Sequence, residues 1–479
     1  MVRNKEKWCG NGVQSALMRN IKGVCKIVLR QDSSSIHNVN KSVNTFTLVG
    51  NTSLYTRLPT LHRGVEAFPS WIVNFLPSIP QLNEMNKSEP SLFVGKGKSV
   101  GLPPSSMKRR KNIFPLPLLD EKALLQAFKN EGIAALHAYT IWRHIIQKGI
   151  TDVVDIPGLP RKAYALIKQR FVLCTSKLKE RKDSKDGSTT KLLITLQDGR
   201  SIESVIMRYG AVELSSFPED KLEAQRSASR LFKSNNRSTL CVSSQVGCQM
   251  GCTFCATGTM GLLANLTSGE ILEQLYLASQ IEKIRNIVFM GMGEPLDNYA
   301  EVVLSIRGMM DVRRYNLSSH RITISTVGVV PRIKQLANEI PGVSLALSLH
   351  APTQALRLKI VPSSKAWPID KLMEAIDFFV ETQKTLTATM QRNQFIMIEY
   401  VLIADVNDSP STAHDVGMLL QPRLQRVLLN VIPYNPTNVP MNYRTPSQTS
   451  IDTFVDIIRT YDVKVTIRQE LGTIMRVAF

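Results

Sequence analysis

The chain has 479 residues, 59 Lys and Arg against 39 Asp and Glu, a formal net charge of +20, and a hydrophobic share of 43%. That length accommodates two or three domains around a sizeable core, and the apolar share is ordinary for a globular fold. No apolar run approaches the roughly 18–20 residues that cross a bilayer, which argues against a membrane partner, and seven unevenly placed cysteines do not make a disulfide framework and suit a reducing compartment.

The charge is concentrated at the start. Residues 1–111 hold 17 basic and 5 acidic side chains, while the remaining 368 hold 42 and 34. A modestly basic body suits a polyanion such as RNA, and equally a solvated lysine-rich surface. Residues 1–112 do not read as a folded domain. Val13, Leu17, Ile21, Val24 and Val28 fall on one helical face, in a stretch with seven Lys or Arg and one acid, Glu6. A hydroxyl-rich, acid-poor stretch follows. The pattern resembles a transit peptide and addresses the chain to a chloroplast or mitochondrion. The alternative is a disordered tail, with initiation at Met107 and a cytoplasmic protein.

Residues 113–185 read as a small helical domain. LLDEKALLQAFKNEGI has helical periodicity with acids near its start, AYTIWRHIIQKGI continues it, and a Pro-Gly-Leu-Pro turn precedes a basic helix. Lys162, Lys168 and Arg170 offer an RNA contact or a solvated basic face. Residues 186–237 read as a β-hairpin and a polar insertion. TKLLITL and SIESVIMRY flank Gln197-Asp198-Gly199, and Asp-Gly between alternating apolar runs marks a hairpin.

From residue 238 to 472, apolar β-type runs alternate with helical segments. The strands begin with TLCVSS and continue at 286–290, 321–325, 343–349, 395–403 and 426–432. Six strand–helix units predict an α/β core, a partial (β/α)6 barrel whose chemistry lies on the loops at the carboxyl ends of the strands.

The first of those loops carries Cys248, Cys252 and Cys255, spaced Cys-x3-Cys-x2-Cys, with Cys241 seven residues earlier. Thiolates ligate iron–sulfur clusters, and a four-iron cubane normally takes four of them. Three ligands leave one iron open to S-adenosylmethionine (SAM), the signature of a radical SAM enzyme. Gly247, Gly251 and Gly258 let the backbone wrap closely. A structural zinc site is the rival, but it takes four ligands and no cysteine follows Cys255 in the sequence. Buried core thiols are the other reading. Later strands end in Gly291-Met292-Gly293-Glu294-Pro295, Ser325-Thr326-Val327-Gly328, Ser348-Leu349-His350 and Tyr434-Asn435-Pro436. Singly these are ordinary loop residues. Together they form a ring of small polar groups suited to SAM.

Over residues 113–472 the text closely resembles the RlmN-type adenine-C-2 methyltransferases, radical SAM enzymes that modify 23S ribosomal RNA and some transfer RNAs. The matching stretches are LCVSSQVGCQMGCTFCATGTMG, NIVFMGMGEPL, ITISTVGVVP, LALSLHAP, IEYVLI, NVIPYNP and VTIR. The resemblance implies a 4Fe–4S cluster on Cys248, Cys252 and Cys255. It implies SAM contacts from Gly293, Glu294, Ser325, Ser348, Leu349, His350 and Asn435. Glu203 matches the family's acid/base carboxylate, and Cys241 one of its two catalytic cysteines. The implied partners are ribosomal RNA, transfer RNA as a second substrate, and a flavodoxin- or ferredoxin-like electron donor, with the protein a monomer. In the family, one SAM methylates a cysteine near the carboxyl terminus. A second SAM supplies the radical that activates that methyl group toward adenine, and the other cysteine resolves the adduct.

One departure stands out. The family motif after VTIR reads roughly Gly-x-Asp-Ile-x-x-Ala-Cys-Gly, whereas this chain reads Arg468-Gln469-Glu470-Leu471-Gly472 and then TIMRVAF. The methyl-carrying cysteine has no counterpart. Residues 473–479 are therefore expected to be a divergent end, from alternative splicing or a truncated gene model. Two other outcomes are kept: a different radical SAM reaction, and a non-catalytic RNA-binding isoform.

Overall fold

The structure, a computed structural model, describes residues 113–209, 237–386, 395–437 and 439–468. The expected addressing segment at 1–112, the insertion at 210–236 and the divergent residues 473–479 lie outside the described residues.

The amino-terminal module opens with a two-residue strand, β1 (Leu116–Pro117), followed by α1 (Glu121–Asn130), α2 (Leu136–Lys148), α3 (Arg161–Arg170) and β2 (Phe171–Val172), which pairs with β1. Asp120 caps α1 by accepting the Ala123 N–H at 3.0 Å. α2 stops at Gly149, whose φ of 70° ends the helix in the left-handed region. The helices bury Leu124, Phe128, Ile141, Trp142, Leu166 and Ile167. The Trp142 indole N–H donates to the Leu118 carbonyl at 2.8 Å. Arg314 is one of the later residues that fasten this module. The buried guanidinium of Arg314 lies 3.5 Å over the Trp142 ring and pairs with Glu121 at 2.7 Å.

A ten-stranded sheet follows. It contains β3 (Lys177–Asp183), β4 (Thr189–Thr195), β5 (Ser201–Tyr209) and β6 (Arg237–Cys241) as antiparallel neighbours. The expected hairpin is β4–β5, and its turn uses Gly199 at φ 83°. β3 lies inside the stretch expected to be helical. All seven of its residues are exposed, so no apolar period marks it, and its charges suit an unpaired sheet edge.

Beyond β6 a small hairpin, β7 (Gln245–Cys248) and β8 (Gly261–Asn265), encloses the short helix α4 (Ala256–Thr259). The chain then alternates: α5 (Ser268–Ser279), β9 (Asn286–Phe289), α6 (Tyr299–Met310), β10 (Ile322–Thr326), α7 (Val330–Glu339), β11 (Ser344–Ser348), α8 (Gln354–Ile360), α9 (Ile369–Leu386), β12 (Ile396–Leu402), α10 (Pro410–Leu420), β13 (Val427–Pro433), α11 (Gln448–Arg459) and β14 (Val465–Ile467). The sheet order is β14-β13-β12-β11-β10-β9-β6-β5-β4-β3, with β6 and β9 through β14 parallel. The six expected parallel strands are therefore joined by a seventh, β14, whose three residues are too few to show as an apolar run. Strand centres such as Leu345, Ala346 and Leu347 are wholly buried, because a parallel sheet is covered on both faces. α5 begins with a capping box between Thr267 and Glu270.

Candidate active site

The cysteine loop owes its path to glycine. At Gly247, φ is 73° and a Cβ would lie 1.9 Å from the Gly261 carbonyl oxygen, so no other residue permits the β7–β8 approach. A Cβ on Gly258 would meet the Cys252 carbonyl at 2.9 Å. Three bonds then pin the loop to distant segments. Thr253 N–H donates to the Ile360 carbonyl at 2.9 Å, the Thr253 and Tyr443 hydroxyls meet at 2.8 Å, and the Thr437 hydroxyl donates to the Phe254 carbonyl at 2.9 Å.

Cys248, Cys252 and Cys255 line one cavity of about 260 Å3, together with Gly293, Glu294, Ser325, Ser348, His350 and Asn435. The structure thus brings nine of the expected residues to one space. Leu349 is the exception among the expected SAM contacts, since its side chain is wholly in the core. Glu203 and Cys241 are set apart from that wall. Cys241 packs with Val205, Met207, Val288 and Met290, and Glu203 meets Lys191 Nζ at 2.6 Å.

The donor chemistry of the three thiols fits a metal cluster. All are free cysteines. Burial pushes each thiol up, Cys248 to about 12, and at Cys252 the two neighbouring sulfurs push further in the same direction. Three adjacent thiolates need a compensating cation, which iron supplies. Among the described residues no three His, Cys, Asp or Glu side chains form a group ready to hold a metal ion. The thiols share a cavity wall instead, and a multinuclear cluster sets its ligands further apart than one ion does.

The turn after β9 is shaped by close approach. Gly293 has φ 99°, and a Cβ there would lie 2.5 Å from the Gln245 Cβ. Glu294 is buried. One carboxylate oxygen accepts the Leu296 N–H at 3.0 Å and the other the Val327 N–H at 2.9 Å. Burial pushes it up to about 7 despite those bonds. His350 adopts φ 60°. Its Nδ1 accepts the Val401 N–H at 3.1 Å, its ring stands edge-on to Phe254, and burial pushes it down to about 3.

Several residues that serve this site escaped the sequence reading. Gln245 accepts the Glu294 N–H at 2.9 Å and donates to Asn265 and Asp297 at 2.8 Å. Arg357 is wholly buried and donates to the carbonyls of Leu349, Val327 and Ser348 at 3.0, 2.6 and 3.1 Å. Glu399 and Arg468 also line the cavity. Glu399 accepts from Asn430 at 2.9 Å, and burial pushes it up. The available signal was a polar residue within an apolar strand, as in FIMIEYVLI.

A parallel barrel whose strand ends carry three thiols and a glycine–glutamate turn defines a radical SAM enzyme. Residues 242–409 match the model of the Radical SAM superfamily. A crystal structure of a radical SAM methyltransferase from Sphaerobacter thermophilus superposes with a TM-score of 0.63 and 32% identity, covering 76% of this chain and 98% of that one. The Dual-specificity RNA methyltransferase RlmN 1 of Myxococcus xanthus is 35% identical over 366 residues, 75% of this chain and 91% of the relative. The Ribosomal RNA large subunit methyltransferase N of Nitrosopumilus maritimus is 36% identical over 329 residues, 67% of this chain and 85% of the relative. The chain belongs to the RlmN family of radical SAM RNA methyltransferases, whose members use a 4Fe–4S cluster and SAM.

Proposed function

We propose that the site is built to methylate carbon 2 of an adenine in 23S-type ribosomal RNA, with transfer RNA as a second substrate. The observation that carries this reading is the single cavity shared by the three thiols and the Gly293–Glu294 turn, in a chain of this family. Cys248, Cys252 and Cys255 would hold the cluster. Gly293, Glu294, Ser325, Ser348, His350 and Asn435 would hold SAM, with Leu349 contributing through its backbone. When bound, cluster and SAM supply the radical chemistry that an unreactive aromatic carbon requires.

The chain's own groups do the rest. Glu294 would offer its carboxylate to the amino group of SAM. Arg357 fixes the carbonyls at the ends of β10 and β11, beside the residues that would hold SAM. Glu203, held by Lys191, removes the proton from adenine carbon 2. Cys241 resolves the adduct. The step that needs a methyl-carrying cysteine has no residue in this sequence, because no thiol follows Cys255. The 479-residue chain is therefore expected to bind SAM and not to methylate RNA. A flavodoxin- or ferredoxin-like donor, a monomeric state and organellar import directed by residues 1–112 belong to the proposal.

The test is mass analysis of adenosine from RNA treated anaerobically with reductant and SAM. The chain as it stands should give no 2-methyladenosine. A version ending in Gly-x-Asp-Ile-x-x-Ala-Cys-Gly after Leu471 should give it. Product from the unaltered chain would overturn the carrier argument, and none from the restored version would overturn the reaction.

A further inference from the structure

Arg468 follows β14, and its N–H still pairs with the Val431 carbonyl at 2.8 Å. Its side chain leaves its own edge of the sheet. Nη2 donates to the Met207 sulfur at 3.7 Å, although six strands separate β14 from β5 in the sheet order. The curl of the sheet brings these two strands face to face, and Arg468 crosses the space between them along the cavity wall.

Met207 packs in the same small apolar cluster as Cys241, with Val205, Val288 and Met290. The groups facing that cluster come from several strands. β5 contributes Tyr209 and Glu203, β12 contributes Glu399, and Arg468 stands across from them. From β4, Lys191 reaches Glu203. β9 offers no side-chain charge, and the N–H of Met290, just beyond its end, bonds the Cys241 sulfur. Burial pushes the Cys241 thiol up to about 12, and the Arg468 charge and the Met290 N–H act against it. Arg468 likewise draws Tyr209 and Glu399 down from where burial puts them. Glu203 is engaged by Lys191, and Glu399 by Asn430.

We propose that Arg468 is a positioning residue for Cys241: reaching across the barrel to Met207, it sets a permanent positive charge against the apolar pocket of the Cys241 sulfur and makes that sulfur a better nucleophile than the pocket alone would allow. Arginine suits the task because its charge does not titrate and its weakly hydrated guanidinium tolerates a sulfur-rich, apolar setting. The electrostatic logic is general: an opposite charge within a few ångström favours the ionised form, and a thiol attacks only as thiolate. The cluster cysteines need no such help, since iron itself deprotonates its ligands.

The inference rests on the reading of Cys241 as a reacting thiol. Its test needs neither RNA nor turnover, so the two can fail separately. The cluster-loaded full chain is exposed to methyl methanethiosulfonate between pH 7.5 and 10.5. Modification of Cys241 is then followed by peptide mass analysis. Cys174, half-buried elsewhere in the described chain, serves as the internal reference, so the readout is the ratio of the two rates. In Arg468→Gln that ratio should fall by about tenfold. Arg468→Lys should restore most of it. A ratio unchanged or raised in Arg468→Gln would mean that the side chain is only a brace or a cover. A Lys variant as slow as the Gln variant would equally overturn the role of charge.

Discussion

Glu294 offers a measurable consequence of burying a carboxylate at the strand ends. Folding raises it from 4.5 to about 7, chiefly by desolvation. A raised acid favours the folded state below its unfolded value, and that contribution is lost as pH rises through the folded value. Each unit is about 1.4 kcal/mol, so the apoprotein should lose about 3 kcal/mol from this group between pH 4.5 and pH 8. Glu294→Gln removes the titration and keeps the shape. Its amide places a donor against one of two backbone N–H groups, Leu296 or Val327, at a cost of about 1–2 kcal/mol. The two effects have opposite signs. At pH 4.5 the wild-type chain should be the more stable, and at pH 8 the variant. Urea unfolding followed by far-UV circular dichroism, anaerobically and without iron or SAM, measures both. A stability difference that stays constant across the pH range would refute the burial argument.

Three further outcomes are expected. Replacing Cys248, Cys252 and Cys255 by Ala should abolish the iron–sulfur absorbance of the reconstituted protein; a triple variant that retains full iron content refutes the ligand assignment. Gly293→Ala places a Cβ 2.5 Å from that of Gln245 at φ 99°, so calorimetry should find SAM binding weakened about tenfold or more, corresponding to at least 1–2 kcal/mol of backbone strain. Glu121→Ala strips the Arg314 guanidinium of its carboxylate bond while two of its nitrogens, Nε and Nη1, already lack partners; urea unfolding should show a loss of about 3 kcal/mol, and a loss below about 1 kcal/mol would show that the ion pair is not what holds the module.

What could be read in the sequence was whatever announces itself locally. The parallel strands are continuous apolar runs, and the Asp198-Gly199 turn names its own hairpin. The cysteine spacing and Gly293-Glu294 are local patterns too, so the cavity wall they share was foreseeable. The missed elements lack local signals. β3 is charged on both faces, and β14 has three residues. Arg357, Lys191 and Arg468 look like surface cations in sequence. Only the fold shows Arg357 sealed beneath three carbonyls, or Arg468 facing Met207 from 261 residues away. Leu349 illustrates the converse: a residue carried by its motif, whose side chain belongs to the core.

The His350 ring carries a consequence for recognition. A backbone N–H can only donate, so the bond from Val401 requires Nδ1 to be bare and assigns the ring proton to Nε2. With the imidazolium suppressed to about pH 3, that tautomer persists through the whole physiological range. A residue type usually chosen for its readiness to change state is here a permanent, uncharged hydrogen-bond donor. Whatever atom it meets must be an acceptor, and the choice is enforced by the main chain of a neighbouring strand, independent of the acidity of the surroundings.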